Sequence, residues 1–301
     1  MHHPISRRLF CGAAAAASVA AIAQAAVPLL QGAEPAEINL LVRGDDLGAA
    51  RSINAACLEA CEKGICRSVE VLVPGPWFLD AVELLKNAPQ LDVGVHLCLT
   101  SEWDRVKWRP LTHAPSLVDA NGYFHPRTRA GKDAPPGSTG FLNTSPKLEE
   151  VERELRAQIE TLRKHVPKVT HLSAHMGAAT ATPELKALTQ NLAKEFKLRL
   201  ESEGLPADRQ LKHVPGVGTS KQTTKEKEES LLDFIAKKQP GNWLFVTHPA
   251  YDDAETRAIG HPGYENVATD RDGITKMLTS PRVLTAVKAA GIRLISYADL
   301  G

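Results

Sequence analysis

The stretch Ile38-Asn39-Leu40-Leu41-Val42-Arg43-Gly44-Asp45-Asp46-Leu47-Gly48 decides how the rest of the chain is read. A largely aliphatic run of strand length, 38–42, ends in Gly44-Asp45-Asp46, and a helical pattern follows over 53–61, closed by Gly64. Strand, acidic loop and helix in that order form the opening unit of an α/β fold. The order then recurs. Residues 69–73 predict a strand, 77–85 a helix and 93–99 another buried strand. A passage rich in Pro, Gly and Thr over 101–145 leads to an amphipathic helix over 146–164, a strand at 169–173 and a helix over 183–195. Residues 201–225 are polar with scattered Gly and Pro and read as loop, before a helix over 226–237 and a buried strand at 243–247. A loop over 249–269, helix formers broken at Pro281 and a last strand at 292–296 complete the series. The alternation predicts mostly parallel strands in one sheet, open or closed into a barrel, within a single domain.

Composition narrows the function classes. With 301 residues, 43% hydrophobic and 24% charged, the chain can bury a sizeable core. Its 36 basic and 35 acidic residues leave no strongly basic face, so no nucleic-acid partner is expected. No apolar run in the main body approaches the roughly 20 residues that cross a bilayer, so no stable membrane insertion is expected there. The N-terminus differs: Ser6, Arg7, Arg8, Leu9 and Phe10 precede a run of Ala, Val and Ile over 13–23, and Ala23-Gln24-Ala25 resembles a cleavage site. This resembles a twin-arginine export signal over 1–25, followed by a linker over 26–36 and the main domain over 37–301. An exported protein, periplasmic or extracellular, is the expectation. Beyond the signal stand Cys57, Cys61, Cys66 and Cys98. They read as buried free thiols, because Cys57 and Cys61 sit one helical turn apart and no CxxC pair marks a zinc knuckle.

In parallel α/β folds chemistry collects at the C-terminal ends of strands. Asp45 and Asp46 stand there after the first strand, and two adjacent carboxylates either organise a turn or call for a cation. His96 lies in Val93-Gly94-Val95-His96-Leu97, and His175 follows a turn at the tip of the strand that holds His171. His171, deeper in that strand, is either a packed core residue or a support behind the ligands. His248, in Thr247-His248-Pro249, faces either solvent or the mouth of a site as a general acid. Asp270 and Arg271 read as an ordinary charged first turn of a late helix. His113, His125, His165, His213 and His261 read as surface residues. One Asp with two His resembles the facial ligand set that leaves positions on a metal open for water and substrate. The other carboxylate of the pair is then free to act as base, a division of labour suited to amide hydrolysis.

These segments resemble the YdjC-like carbohydrate deacetylases. The family's A-D-D-F-G appears as Gly44-Asp45-Asp46-Leu47-Gly48, with Asn54 and Glu59 in the following helix. Its G-x-H-x-x-L-T appears as Gly94-Val95-His96-Leu97-Cys98-Leu99-Thr100, its T-H-L-D-S-H as Thr170-His171-Leu172-Ser173-Ala174-His175, and its H-P-G/A as His248-Pro249-Ala250. The ending from Gly291 to Leu300 also looks like the family's last strand. The resemblance implies a distorted, barrel-like (β/α) deacetylase fold with mostly parallel strands. It implies one divalent metal ion, Mg2+ or Zn2+, held by Asp46, His96 and His175, with Asp45 as base and His248 as acid. His171 and Arg271 would stand behind the ligands or against an acetylated carbohydrate substrate. Ser173 replaces the family's Asp, and Met176-Gly177 follow His175 where members continue Q-H-x-H, so neighbouring substrate contacts do not carry over. Two further readings share these residues: a deacylase or esterase acting on another acylated polymer or lipid, and a sugar-binding protein without chemistry.

Overall fold

The structure, a computed structural model, describes residues 37–131, 139–237 and 239–301. The export signal and linker read at 1–25 and 26–36 lie outside the described residues. The strands are β1 (Ile38–Leu47), β2 (Ser68–Val71), β3 (Asp92–Leu97), β4 (Val169–Ala174), β5 (Arg199–Leu200), β6 (Leu211–His213), β7 (Gly241–Thr247) and β8 (Arg293–Ile295). The helices are α1 (Arg51–Glu62), α2 (Phe78–Lys86), α3 (Leu148–His165), α4 (Pro183–Phe196), α5 (Thr224–Ala236), α6 (Ala254–Ala258), α7 (Val267–Leu278) and α8 (Pro281–Ala289). Among these residues no helix is long and apolar enough to cross a membrane.

All eight strands join one sheet and pair only in parallel, in the order β5-β4-β3-β2-β1-β7-β6, with β8 also on β1. Because β7 runs along β1 from Ile38 to Gly44, β8 and β2 must share the opposite edge. β8 takes Asn39, Leu40 and Leu41, and β2 takes Arg43, Gly44 and Leu47. The sheet therefore forks at β1. Its outer strands β5 and β6 do not pair with each other, which leaves a curled, open version of the parallel sheet that the alternation predicts and of the barrel-like fold that the resemblance implies.

Three local differences from the sequence reading have physical causes. β1 continues through Asp45 and Asp46 to Leu47 instead of ending before them, because Leu47 still pairs with Val71. β6 lies within the polar 201–225 passage, where three residues carry too little periodicity to register as a strand. Helix α6 interrupts the 249–269 loop, capped by the Asp253 side chain.

Alternate residues of β1 divide the packing into two faces. Leu40 and Val42 join the large core shared with the helices, whereas Leu41 packs with Leu205, Leu244, Ile295, Tyr297 and Leu300 in a small separate cluster. On the face of Leu41, the next residue along β1 is Arg43 and the next Asp45. The cupped side of the sheet thus passes from an apolar plug, through a buried polar layer, to an acidic rim. In the polar layer Glu70, Gly94 and His171 stand side by side on β2, β3 and β4. The Glu70–His171 hydrogen bond, 2.5 Å, crosses directly over Gly94, where a Cβ would overlap both Glu70 Oε2 and His171 Nε2. Gly94→Ala is therefore expected to cost about 3 kcal/mol by forcing both side chains out of place, read as a thermal midpoint below that of the parent.

Helix α3 fixes the long passage after β3. Val151, Leu155, Ile159 and Leu162 form its buried stripe. Beside them, Gln158 bonds the backbone N and O of Cys98 at 2.9 and 2.8 Å, and Glu154 accepts from the backbone of Leu111 and Thr112. Buried carboxylate and amide groups thereby hold a segment that has few ladder bonds of its own.

Candidate active site

Two adjacent residues of a regular strand point to opposite faces. Asp45 and Asp46 do not, because the β1–β2 register shifts between Gly44 and Leu47 and Asp46 takes a left-handed φ of 70°. The bulge turns both carboxylates toward one point, at the cost of a backbone conformation that Asp tolerates better than most residues. His96 Nε2 lies 3.7 Å from Asp45 Oδ2 and 3.6 Å from Asp46 Oδ1. The loop beyond is pinned by Asn54, whose Oδ1 accepts from Gly48 N at 2.6 Å while its Nδ2 donates to Asp80. Gly48 itself has φ 108°, and a Cβ there would lie 2.7 Å from the Leu72 carbonyl oxygen.

Asp46, His96 and His175 place one ligand atom each within 4.8 Å of one another, and all three are buried. His175 Nδ1 is 3.3 Å from Asp46 Oδ1, and the two imidazole rings stand edge to face at 5.2 Å. Among the described residues Asp46 Oδ1 is buried and makes no well-aligned hydrogen bond, with only the His96 and His175 imidazoles close by, an arrangement that a cation between them would complete. His175 Nε2 bonds Glu102 at 3.0 Å, which leaves Nδ1 turned to the cluster. One carboxylate and two imidazoles on a cleft wall fit a single divalent cation with positions left for other ligands.

Two arginines separate the acidic pair chemically. Arg43 grips Asp45 with Nε at 2.8 Å and Nη2 at 3.1 Å, while Arg271 Nη1 reaches Asp46 Oδ2 at 2.9 Å. Burial pushes the Asp45 carboxyl up, to about 8, against the pull of Arg43 and with the added repulsion of Glu70 and Asp46. At Asp46 burial acts in the same sense, but Arg271, His175 and His248 outweigh it and hold the group below the usual carboxylate range. Neighbouring carboxylates driven apart in this way are suited to different tasks. Burial also raises Glu70, yet His171, Arg43 and His96 bring it down to about 2, so it is a buried anion.

His248 Nε2 stands 4.0 Å from Asp45 Oδ2 at the mouth of a cleft of about 530 Å³. Burial of the imidazole and the Arg271 charge lower its pKa against the pull of Asp46; solvent reaches 44% of the side chain and tempers that shift. Trp103 forms part of the wall, with His261 stacked at 6.1 Å and Arg271 over its ring at 5.0 Å.

Asp45, Asp46, His96, His175 and His248 thus meet at one rim. His171 lies outside the cluster and reaches it only through the polar layer. Arg271 departs from the ordinary first turn read in the sequence: it is buried against Asp46, and Asp270 pairs with the fully buried Lys227 at 2.7 Å. Two histidines read as surface residues are otherwise placed: His125 is buried, and His261 lines the cleft. Sequence reasoning missed Arg43, Glu70, Glu102, Trp103 and Tyr297 as parts of this assembly. Arg43 alone carried a signal, since a charged residue two positions before a strand-end Asp shares its face.

The family model described as YdjC-like protein matches residues 39–289. A carbohydrate deacetylase of Geobacillus stearothermophilus is 28% identical over 86% of this chain and 96% of its own length. A chitooligosaccharide deacetylase of Yersinia enterocolitica is 29% identical over 86% of this chain and 98% of its own. Among solved structures, an Enterococcus faecalis V583 protein described as a candidate cellobiose-phosphate cleavage protein superposes with a TM-score of 0.68 at 25% identity. That superposition covers 88% of this chain and 99% of the other.

Proposed function

The chain belongs to the YdjC-like protein family, and from that premise we propose that it is a metal-dependent hydrolase removing N-acetyl groups from an amino sugar, chitooligosaccharide or related polysaccharide. The observation that carries the proposal is the split acidic pair: Asp46 held as an anion beside two imidazoles, and Asp45, gripped by Arg43, with its proton affinity raised toward the range that suits a general base. Relatives named carbohydrate deacetylase and chitooligosaccharide deacetylase, aligned over nearly their whole lengths, support the same substrate class.

Asp46, His96 and His175 would hold one Mg2+ or Zn2+. Bound there, the cation supplies Lewis acidity to the acyl carbonyl. Asp45 takes a proton from the attacking water as the new C–O bond forms at the acyl carbon. Arg43 keeps that carboxylate from turning away, and Arg271 does the same for Asp46. When the C–N bond breaks, the departing nitrogen needs a proton. His248, 4.0 Å from Asp45 and partly open to the cleft, is placed to pass that proton on. Its low pKa means that it is neutral at rest and acquires the proton during the cycle. His261, partly exposed on the cleft wall and backed by the buried Trp103, offers a ring beside which a sugar can lie. The N-terminal Arg7-Arg8 segment supports export of the folded enzyme, so its substrate would be met outside the cytoplasm.

Acetate released from N-acetylated chitooligosaccharides, followed by an enzyme-coupled assay, is the expected activity. Cleavage of O-acyl esters with the N-acetylated sugars untouched would replace this reading with that of an esterase.

A further inference from the structure

We infer that Glu70 is a positioning residue for the metal centre, acting through the Ser173 hydroxyl to fix which nitrogen of His96 faces the cluster. The inference rests on the metal-site reading above. Glu70 sits in the middle of β2, fully buried, below the rim and outside the ligand cluster. It accepts from the Ser173 hydroxyl at Oε2 and from His171 Nε2 at Oε1. A carboxylate offers only lone pairs, so the single proton of Ser173 is committed to it.

The consequence reaches His96. Its Nδ1 lies 2.8 Å from Ser173 Oγ, a contact set by the pairing of His96 with Ser173 across β3 and β4. With the hydroxyl proton already spent on Glu70, Ser173 Oγ can only accept, so His96 Nδ1 carries the hydrogen and Nε2 is left as a bare lone pair. That is the nitrogen 3.6 Å from Asp46 Oδ1. The opposite tautomer would set two lone pairs against each other in a site without solvent. Glu70 is in turn immobile. His171 stacks on Tyr297 at 3.9 Å and bonds Thr170 Oγ1 at 2.8 Å, and the absence of a side chain at Gly94 lets Glu70 and His171 meet. Glu102 serves His175 directly, whereas Glu70 serves His96 through a hydroxyl.

Three variants test this: Ser173→Ala, Ser173→Thr and Glu70→Gln. Each is compared with the parent by zinc affinity in competition with a chromophoric chelator, by thermal midpoint without metal, and by the ring 15N shifts of His96 in the metal-free protein. Ser173→Ala and Glu70→Gln are expected to weaken zinc binding by about 10- to 100-fold and to mix the His96 tautomers. Ser173→Thr, which keeps the hydroxyl, is expected to restore both. Affinity unchanged in Ser173→Ala, with only the thermal midpoint lowered, would show mere structural support and overturn the inference while leaving the metal-site reading intact. A parent His96 protonated on Nε2 would overturn it without any variant. A parent that binds no zinc overturns the metal-site reading and this inference together.

Discussion

Asp45→Asn is expected to lower kcat by about 10³-fold while the protein still binds its cation. Asn has nearly the same shape, and its side-chain oxygen can keep one hydrogen bond from Arg43, but it cannot take a proton from water. Arg43 keeps Tyr297 at 3.0 Å and Glu201 at 3.3 Å as partners, so the loss of one charge should not unfold the polar layer. The pH dependence carries a second sign of the same role. Burial and the neighbouring carboxylates raise the proton affinity of Asp45, so the base is lost as pH falls through a value above the ordinary carboxylate range. A bound cation opposes that rise, which places the ascending limb of kcat/KM between the usual Asp range and about 8. Steady-state kinetics from pH 4 to 9 check this, together with metal content. An Asp45→Asn protein that keeps its activity and its ascending limb would remove Asp45 from the mechanism.

The second large effect falls on metal binding. His96→Ala and His175→Ala each delete one of the three proposed protein ligands, so each is expected to weaken affinity beyond the roughly 100-fold that marks the loss of a supporting partner. Deacetylation should fall with it. His175 adds a pH signature. It stands between Asp46 and Glu102, and although burial favours the neutral ring, those carboxylates raise its pKa well above the ordinary value. A cation must therefore displace a proton from it. Affinity is expected to rise with pH across the neutral range, with protons released in calorimetric titrations in buffers of different ionisation enthalpy. Equal affinity at pH 6 and pH 8 would contradict this arrangement.

The parallel alternation, and with it the rim where function collects, was legible because aliphatic strands and amphipathic helices repeat in a fixed order from Ile38 to Ile295. Asp45, Asp46, His96, His175 and His248 were legible for a related reason: several polar residues recur at the C-terminal ends of parallel strands, where chemistry collects. The thiol reading also holds among the described residues, where Cys57, Cys61, Cys66 and Cys98 are buried and unpaired with one another. What was not legible depends on register. Glu70 in Ser68-Val69-Glu70-Val71 reads as the polar side of an ordinary strand until its neighbours Gly94 and His171 are placed beside it. Glu102 and Trp103 lie in a passage without periodicity, and only the buried groups of α3 reveal why that passage holds its shape. The bulge that turns Asp45 and Asp46 the same way has no sequence mark beyond their adjacency. Helix position alone suggests for Arg271 only a charged first turn, because nothing in it shows that α7 carries the guanidinium in to Asp46 at the end of β1.

Acetate release from an N-acetylated chitooligosaccharide by chelator-treated protein, before and after adding back one equivalent of Zn2+ or Mg2+, tests the central claim most directly. No release is expected from the stripped protein, with recovery at one equivalent of the native ion and no recovery in reloaded Asp45→Asn. Undiminished release from metal-free protein, or none from the fully loaded parent, would contradict it.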